Sequence, residues 1–475
     1  MSDGNGSKGL IYGIEDKPPL FECLGLGFQH YLTMFGSTVA IPLLLAPAFG
    51  MQDDPAAIGW LISTMFFVSG ITTLLQTTLG NRLPLVQGGT FSFLAPTFAI
   101  CGMAALANEG WQVRLQHVQG AVIAGAVFEI VIGYSGLVGR LLRFVGPITI
   151  APTIALIGLA LFEFGAPVAG THWGIGGLTI GLIILFSQYL RSRHRVFELF
   201  PILLGITGAW GVAWACTAAG VFGPEHPAHV STANLQSAPW FRVPYPFQWG
   251  WPVFGVGAIV GMLAGYLASM VESVGDYYAC SRLSGVRTPG PDVINRGIGM
   301  EGVGCLVAGI FGTGNGTTSY SENIGAIGLT RVGSRRVVQA GAVIMLVLAT
   351  IGKFGALFTT IPQPIVGGMY CVMFGMIAAV GLSNLQFVDL NSARNLFILG
   401  FAIFMGLSMP QYFAANPLEW GSEAIDAAAG ARALAVLGNV VQTIGQTGMA
   451  VGALAALVLD NTIPGTAQER GLVPD

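Results

Sequence analysis

Glu322 and Asn323 stand in the run GTTSYSENIGAIGLTR at 316–331, and Glu272 and Asp276 stand four residues apart in VESVGDYYA at 271–279. Both runs are set in strongly apolar chain. A carboxylate at the centre of a bilayer costs roughly 2.5–3.5 kcal/mol on insertion scales, so such groups are rare and mark sites or ion pathways. An ionised carboxyl accepts two or more N–H hydrogen bonds, and bonds to a charged acceptor are about twice as strong as neutral ones. Acids that share a low-dielectric pocket also compete for protons, which links cation uptake to cargo binding. Residues four apart lie on one helical face, so a cation at Asp276 can bias Glu272. Glu129 and Glu301 are two further acids in apolar runs, where structural pairing or a nearby helix end is expected.

The elements that hold these acids must lie in lipid. Of 475 residues, 53% are hydrophobic and only 9% charged, against about 25% charged in soluble domains. The net charge of −3 shows no basic excess of the kind that suits a nucleic acid. The six cysteines are scattered without CxxC spacing and read as structural, with no metal site expected. The first 18 residues lack an apolar core, so no cleavable signal peptide is evident.

A membrane helix needs about 20 mostly apolar residues. Twelve runs qualify: 19–47, 57–79, 118–139, 143–164, 173–190, 198–220, 251–279, 293–310, 334–357, 361–381, 395–412 and 434–459. Two more, 85–105 and 315–330, open on Gly, Thr and Ser and read as broken spans, giving fourteen. With an inside N-terminus and fourteen crossings, 16 of the 20 Lys and Arg residues fall on the cytoplasmic side, leaving Arg114, Arg242, Lys353 and Arg432 outside. Both termini are therefore expected in the cytoplasm.

GTFSF at 89–93 matches GTTSY at 316–320 in three of five positions, with an offset of 227 residues that also carries the first span onto the eighth. Two halves of seven spans enter the membrane from opposite faces, the inverted repeat of many secondary transporters, whose sites lie where interrupted helices meet. The expected fold is all-α and polytopic, with Thr90–Phe93 and Thr317–Tyr320 as two short antiparallel strands, each feeding a half-helix.

The segments FQHYLTMFGSTVAIP (28–42), LPLVQGGTFSFLAP (83–96), VESVGDYYA and SENIGAIGLTRVGSRRVV (321–338) closely resemble the nucleobase and ascorbate transporter family, also called nucleobase:cation symporter family 2. The pattern Glu-Asn-x-Gly-x-x-x-x-Thr-Arg at 322–331 is that family's hallmark. The resemblance runs from about residue 18 to 465. It implies a core domain at 19–139 (spans 1–4) and 251–357 (spans 8–11). A gate domain is implied at 140–220 and 358–460 (spans 5–7 and 12–14), with an extracellular linker at 221–250 and tails at 1–18 and 461–475. It further implies elevator-like movement of core against gate, and a homodimer formed through the gate, in the plasma membrane.

By the same resemblance, Glu272 and Glu322 match the two carboxylates that bind the base, Phe91 a neighbouring aromatic, and Tyr320 and Ser321 adjoining main-chain groups. His30 of the Gln29–His30 pair, together with Asp276 and Asn323, matches positions tied to site architecture and cation coupling. Some bacterial uracil permeases carry His at the position of Asp276, which leaves the coupling details open. Uracil and oxopurines present ring N–H groups beside carbonyl oxygens, so two carboxylates facing backbone N–H donors complement them, and an aromatic ring can cover one face. The implied activity is import of uracil or a purine such as xanthine by symport with protons, or alternatively Na+. No other cofactor is expected.

The alternative is transport of ascorbate or another organic or inorganic anion on the same fold, but ascorbate-transporting relatives tend to have Pro where this chain has Glu322. An enzyme is not expected, since neither HExxH nor GxSxG occurs. GIGMEG at 297–302 lies in a span and is no dinucleotide loop, and the sequon at Asn315 falls at membrane depth.

Overall fold

The computed structural model describes residues 10–141, 144–418, 420, 429–466 and 469–470. Lys8 and Arg143, counted above as cytoplasmic, lie outside the described residues, as do the ends of both tails. In chain order the principal elements of the first half are α1 (Leu20–Phe49), α2 (Pro55–Thr78), β1 (Gln87–Gly89), α3 (Leu94–Cys101), α4 (Trp111–Tyr134), α5 (Pro147–Leu159), α6 (Trp173–Ile184) and α7 (Pro201–Ala218). Those of the second half are α8 (Val256–Leu283), α9 (Pro291–Phe311), β2 (Thr317–Ser319), α10 (Ser321–Thr330), α11 (Arg335–Ala349), α12 (Gln363–Ser383), α13 (Ala393–Ala415), α14 (Ala429–Gln446) and α15 (Gly448–Thr462). Among the described residues, nine helices are long and apolar enough to cross a membrane, or ten if the pair Leu434–Gln446 and Gly448–Thr462, bent by 91°, is one span.

Local chemistry sets several boundaries. The side chain of Asp54 caps α2 by accepting from the Ala57 amide at 2.9 Å, with Pro55 in the first turn. α1 ends on Gly50 and α9 on Gly312, both left-handed (φ 89° and 71°), where a Cβ would be strained.

Two expected single spans are broken. The run 334–357 splits at Ile351, whose extended backbone bridges Phe241 of the long connection, and a Cβ on Gly352 would sit 2.4 Å from the Pro239 carbonyl oxygen. The run 434–459 bends at Thr447, because Gly448 crosses Gly406 so closely that a Cβ would lie 2.2 Å from the Gly406 carbonyl oxygen. Close backbone crossing on small residues decides the chain's path here, and hydropathy does not register it.

β1 and β2 pair antiparallel, with Gln87 opposite Ser319, Gly88 opposite Thr318 and Gly89 opposite Thr317. The first strand therefore lies three residues before the expected Thr90–Phe93, which instead begins a helical turn at Phe91–Phe93. The cause is Thr90: its hydroxyl accepts from the Ser92 amide at 3.2 Å, a side-chain cap that offers the backbone an alternative to the ladder. The Thr90 amide is met by the Asn315 side-chain oxygen at 2.8 Å, and the Tyr320 amide continues the ladder onto the Val86 carbonyl at 3.0 Å. All six strand residues are buried, as non-helical backbone at membrane depth requires.

Helices α1, α2, α4, α8, α9 and α11 pack mainly on one another around this pair, and α5, α6, α7, α12, α13 and α15 form a second packed set.

Candidate functional site

Four short stretches meet at the strand pair: the middle of α1, the turn after β1, the middle of α8 and the start of α10. Glu322 is the second residue of α10, in its first turn, where amide groups not yet used by the helix favour negative charge. Ser37 of α1 donates its hydroxyl to Glu322 Oε1. Glu322 is solvent-accessible. Glu272, half-buried on α8, has a single long contact at 3.5 Å from the Ser92 hydroxyl to Oε2. Both carboxylates thus keep acceptor capacity that the protein does not use.

One turn on from Glu272, Asp276 is buried and doubly satisfied, accepting from Ser319 Oγ at 2.9 Å and Ser321 Oγ at 3.1 Å. It ties α8 to the end of β2 and the start of α10. Ser273 joins the same network, bonding Thr318 Oγ1 at 2.9 Å and Ser319 Oγ at 3.2 Å.

Asn323 holds the other side of the site. Its Oδ1 accepts from the Val86 amide at 2.9 Å, and its Nδ2 donates to the Pro84 carbonyl at 3.3 Å and to His30 Nδ1 at 3.2 Å. His30 is therefore bound to the start of α10, whereas Gln29 is half-buried and makes no side-chain hydrogen bond among the described residues. Tyr320 is buried, with its hydroxyl accepting from Thr38 at 3.3 Å. Ser321 bonds Asp276 through its side chain as well as standing at the first position of α10. Phe91 makes an edge-to-face contact with Phe374 of α12 at 6.2 Å, so this ring is where the strand-centred set meets the second one.

The structure thus brings Glu272, Glu322, Asp276, Asn323, His30, Tyr320 and Ser321 around one strand pair, with Phe91 at its edge. Ser37, Ser92 and Ser273 are partners that sequence reasoning missed. Ser37, Ser92 and Ser273 lie inside three of the segments that carry the family resemblance, FQHYLTMFGSTVAIP, LPLVQGGTFSFLAP and VESVGDYYA, which was the available signal.

A second acidic group lies behind the strands. Glu301, mid-helix on α9, accepts from Tyr277 Oη at 2.9 Å and Gln87 Nε2 at 3.3 Å, with Gln76 Nε2 at 3.5 Å. Glu301 therefore links α9 to α8, α2 and β1. Glu129, in the C-terminal part of α4, is buried, and neither of its oxygens has a hydrogen-bond partner among the described residues. Glu301 is central in its helix, and Glu129 stands five residues before the end of α4 at Tyr134. Asn315 is fully buried with its Oδ1 on the Thr90 amide, inaccessible to glycosylation. An apolar cavity of about 680 Å³, faced by Leu267, Met270 and Val271 of α8 and by Leu454 and Leu457 of α15, has Thr149, Thr153, Asn461 and Thr462 as its polar lining and no acidic or basic residue among the described residues.

A family model with the description Permease family matches residues 21–415. The chain is 48% identical over 503 aligned positions to mouse (Mus musculus) Solute carrier family 23 member 2, covering 98% of this chain and 76% of the relative. It is 40% identical over 484 positions to Nucleobase-ascorbate transporter 2 of Arabidopsis thaliana, covering 98% and 91%. Among solved structures, the transmembrane domain of the cyanobacterial bicarbonate transporter BicA aligns with a TM-score of 0.52 at 16% identity, over 90% of this chain and 98% of that one, a likeness of fold alone.

Proposed function

This chain belongs to the nucleobase–ascorbate transporter family of permeases and is a membrane transporter, not an enzyme, and we propose that its cargo is a nucleobase, uracil or a purine such as xanthine, imported by cation symport. The observation that carries this reading is the pair Glu272 and Glu322, each with free acceptor capacity at the mouth of a strand-centred site. In the proposed complex the two carboxylates accept ring N–H groups, main-chain amides near Tyr320 and Ser321 answer the base's carbonyls, and Phe91 covers one face of the ring. Two carboxylates repel an anionic cargo such as ascorbate, which favours the neutral heterocycle.

Asp276 and His30 are the proposed coupling positions, each one bond away from α10 through Ser321 or Asn323. A proton or Na+ arriving at Asp276 would loosen or tighten the Ser319 and Ser321 bonds, and with them the start of the helix that carries Glu322. Protons are the favoured ion and Na+ the alternative.

The proposed mechanism moves one helix set past the other. The presence of two packed helix sets supports reading them as a core and a gate. The short α3 and α10, each following one strand of the antiparallel pair and each preceded by two long helices in its half among the described residues, support an inverted repeat with cytoplasmic termini. Dimerisation through the gate and residence in the plasma membrane belong to the same proposal; the exposed Phe397, Phe401 and Phe404 on α13 form an apolar face suited to lipid or to a second copy.

The test is uptake of radiolabelled uracil, xanthine, adenine, guanine and ascorbate by cells expressing the chain, with and without sodium and with a protonophore. Saturable uptake of one base, abolished by the protonophore, is expected. Accumulation of ascorbate and of no base would overturn the cargo assignment.

A further inference from the structure

A basic cavity of about 310 Å³ lies at the end of the molecule opposite the long connection, lined by Glu15, Lys17, Thr78, Arg335, Arg336 and Gln339. Its walls are the ends of α2 and α11 and the N-terminal segment. That segment is pinned in place: Tyr12 bridges Val332, the Ile11 amide donates to the Arg331 carbonyl at 2.8 Å, the Arg335 amide to the Ile14 carbonyl at 3.1 Å, and the Ser334 hydroxyl to the Asp16 carbonyl at 2.7 Å. The cavity is therefore bounded by fixed backbone.

Its charge is unbalanced. Three cations, Lys17, Arg335 and Arg336, face one acid, Glu15, which is exposed and paired with Arg335. Lys17 and Arg336 have no ion pair or side-chain hydrogen bond among the described residues, and Arg335 Nε is buried without a partner. Such a cavity is at the lower end of ligand-pocket size, about 300–1,000 Å³, and its spare donors suit a multiply charged phosphoryl group.

The surroundings say what carries that group. Gln339 lines the cavity, and the residues four and eight further along α11, Val343 and Val347, continue the same helical face and are exposed at 47% and 56%. Leu79, which follows the cavity residue Thr78, is 56% exposed, and Leu20 and Phe21 at the start of α1 are 70% and 89% exposed. A charged pocket that opens onto an apolar helix track is the arrangement of a headgroup site at a membrane interface. We propose that this cavity binds the headgroup of a polyphosphorylated anionic phospholipid, with an acyl chain lying along Val343 and Val347. The bound lipid clamps the N-terminal segment to the loop that joins α10 to α11. The site is separate from the carboxylates and does not depend on which cargo they carry.

The test uses the full-length protein in phosphatidylcholine nanodiscs, titrated with phosphatidylinositol bisphosphate, with soluble inositol trisphosphate and inorganic phosphate as separate arms, reading both affinity and unfolding midpoint. The lipid is expected to bind and raise the midpoint, more strongly than either soluble anion. Lys17→Gln with Arg336→Gln should weaken lipid binding by about 30-fold, from roughly 1 kcal/mol per juxtamembrane cation. Glu15→Gln should tighten it severalfold, a gain that misfolding cannot imitate. Arg193→Gln with Arg195→Gln removes equal charge elsewhere and should change nothing. Absence of lipid binding, or equal losses in both double variants, overturns the site. Equal binding of inositol trisphosphate leaves a phosphoryl-anion site but overturns the acyl track.

Discussion

The two half-helices that leave the strand pair are alike in packing and unlike in chemistry. A Cβ on Gly88 would lie 2.5 Å from the Tyr320 ring, and a Cβ on Gly316 would lie 2.3 Å from the Phe93 ring, so a glycine in or just before each strand meets the aromatic residue that directly precedes the other half-helix. Past that point they diverge. The turn into α3 is closed by its own side chain, Thr90 on the Ser92 amide. The start of α10 has no side-chain cap and carries Glu322 in its first turn instead. One half-helix is finished by the protein, and the other is left for a charge and whatever the charge binds. The first half of the chain thus supplies scaffold and the Phe91 ring at this centre, and the second half supplies the acids.

Glu322→Gln is the sharpest way to break that comparison. It keeps the shape and removes the anionic acceptor, which is worth about 1.5–3 kcal/mol when hydrogen-bonded to a charged group. Base uptake is expected to lose about 10- to 150-fold in affinity, with yield and unfolding midpoint unchanged. Unaltered uptake would make the carboxylate of Glu322 a mere helix-terminus charge, and the two half-helices equivalent.

Gly88→Ala tests the shared feature. The added methyl must push the buried Tyr320 ring, which Thr38 holds by its hydroxyl. Overpacking of this sort costs about 1–3 kcal/mol. A lower unfolding midpoint is expected together with reduced uptake, because Tyr320 directly precedes α10. Thr90→Ala tests the unshared one. It removes the cap on the first half-helix at a cost of about 1 kcal/mol, and is expected to lower the midpoint while leaving the apparent affinity for the base unchanged. A large affinity change with no loss of stability would mean that the Thr90 cap positions the cargo-facing Phe91 ring and does not merely stabilise the turn.

The sequence disclosed the acids better than it disclosed their neighbours. Glu272, Asp276 and Glu322 stand out because charge in an apolar run demands a reason. Ser37, Ser92 and Ser273 do not, since hydroxyls in membrane helices commonly bond a carbonyl of the preceding turn, as Thr38 does to Met34 at 3.0 Å. The frame of β1 was hidden for a related reason: Thr90 has the composition of a strand and the side-chain geometry of a cap, and only the fold decides which is used. The bend at Thr447 was invisible because it depends on Gly448 meeting Gly406, 42 residues away in sequence. Glu129 and Glu301 lie in apolar runs like the site acids, yet partners distinguish them: Glu301 is held by Tyr277 and Gln87, and Glu129 by no hydrogen bond among the described residues.

Ser37→Ala is expected to have the smallest effect, and its direction is the informative part. In the structure Ser37 donates to the Glu322 oxygen that the base is proposed to engage. If the serine only satisfies the carboxylate while the site is empty, the base's own N–H replaces that bond, and deleting it removes a competitor. The apparent affinity should then stay near that of the parent or improve, since the base's own N–H takes over the bond to the carboxylate. If Ser37 instead aims the carboxylate, its loss frees Glu322 to rotate, and affinity should fall tenfold or more without any change in stability. Measuring KM for base uptake alongside the unfolding midpoint separates the two, and a tenfold rise in KM would move α1 from the scaffold into the binding machinery.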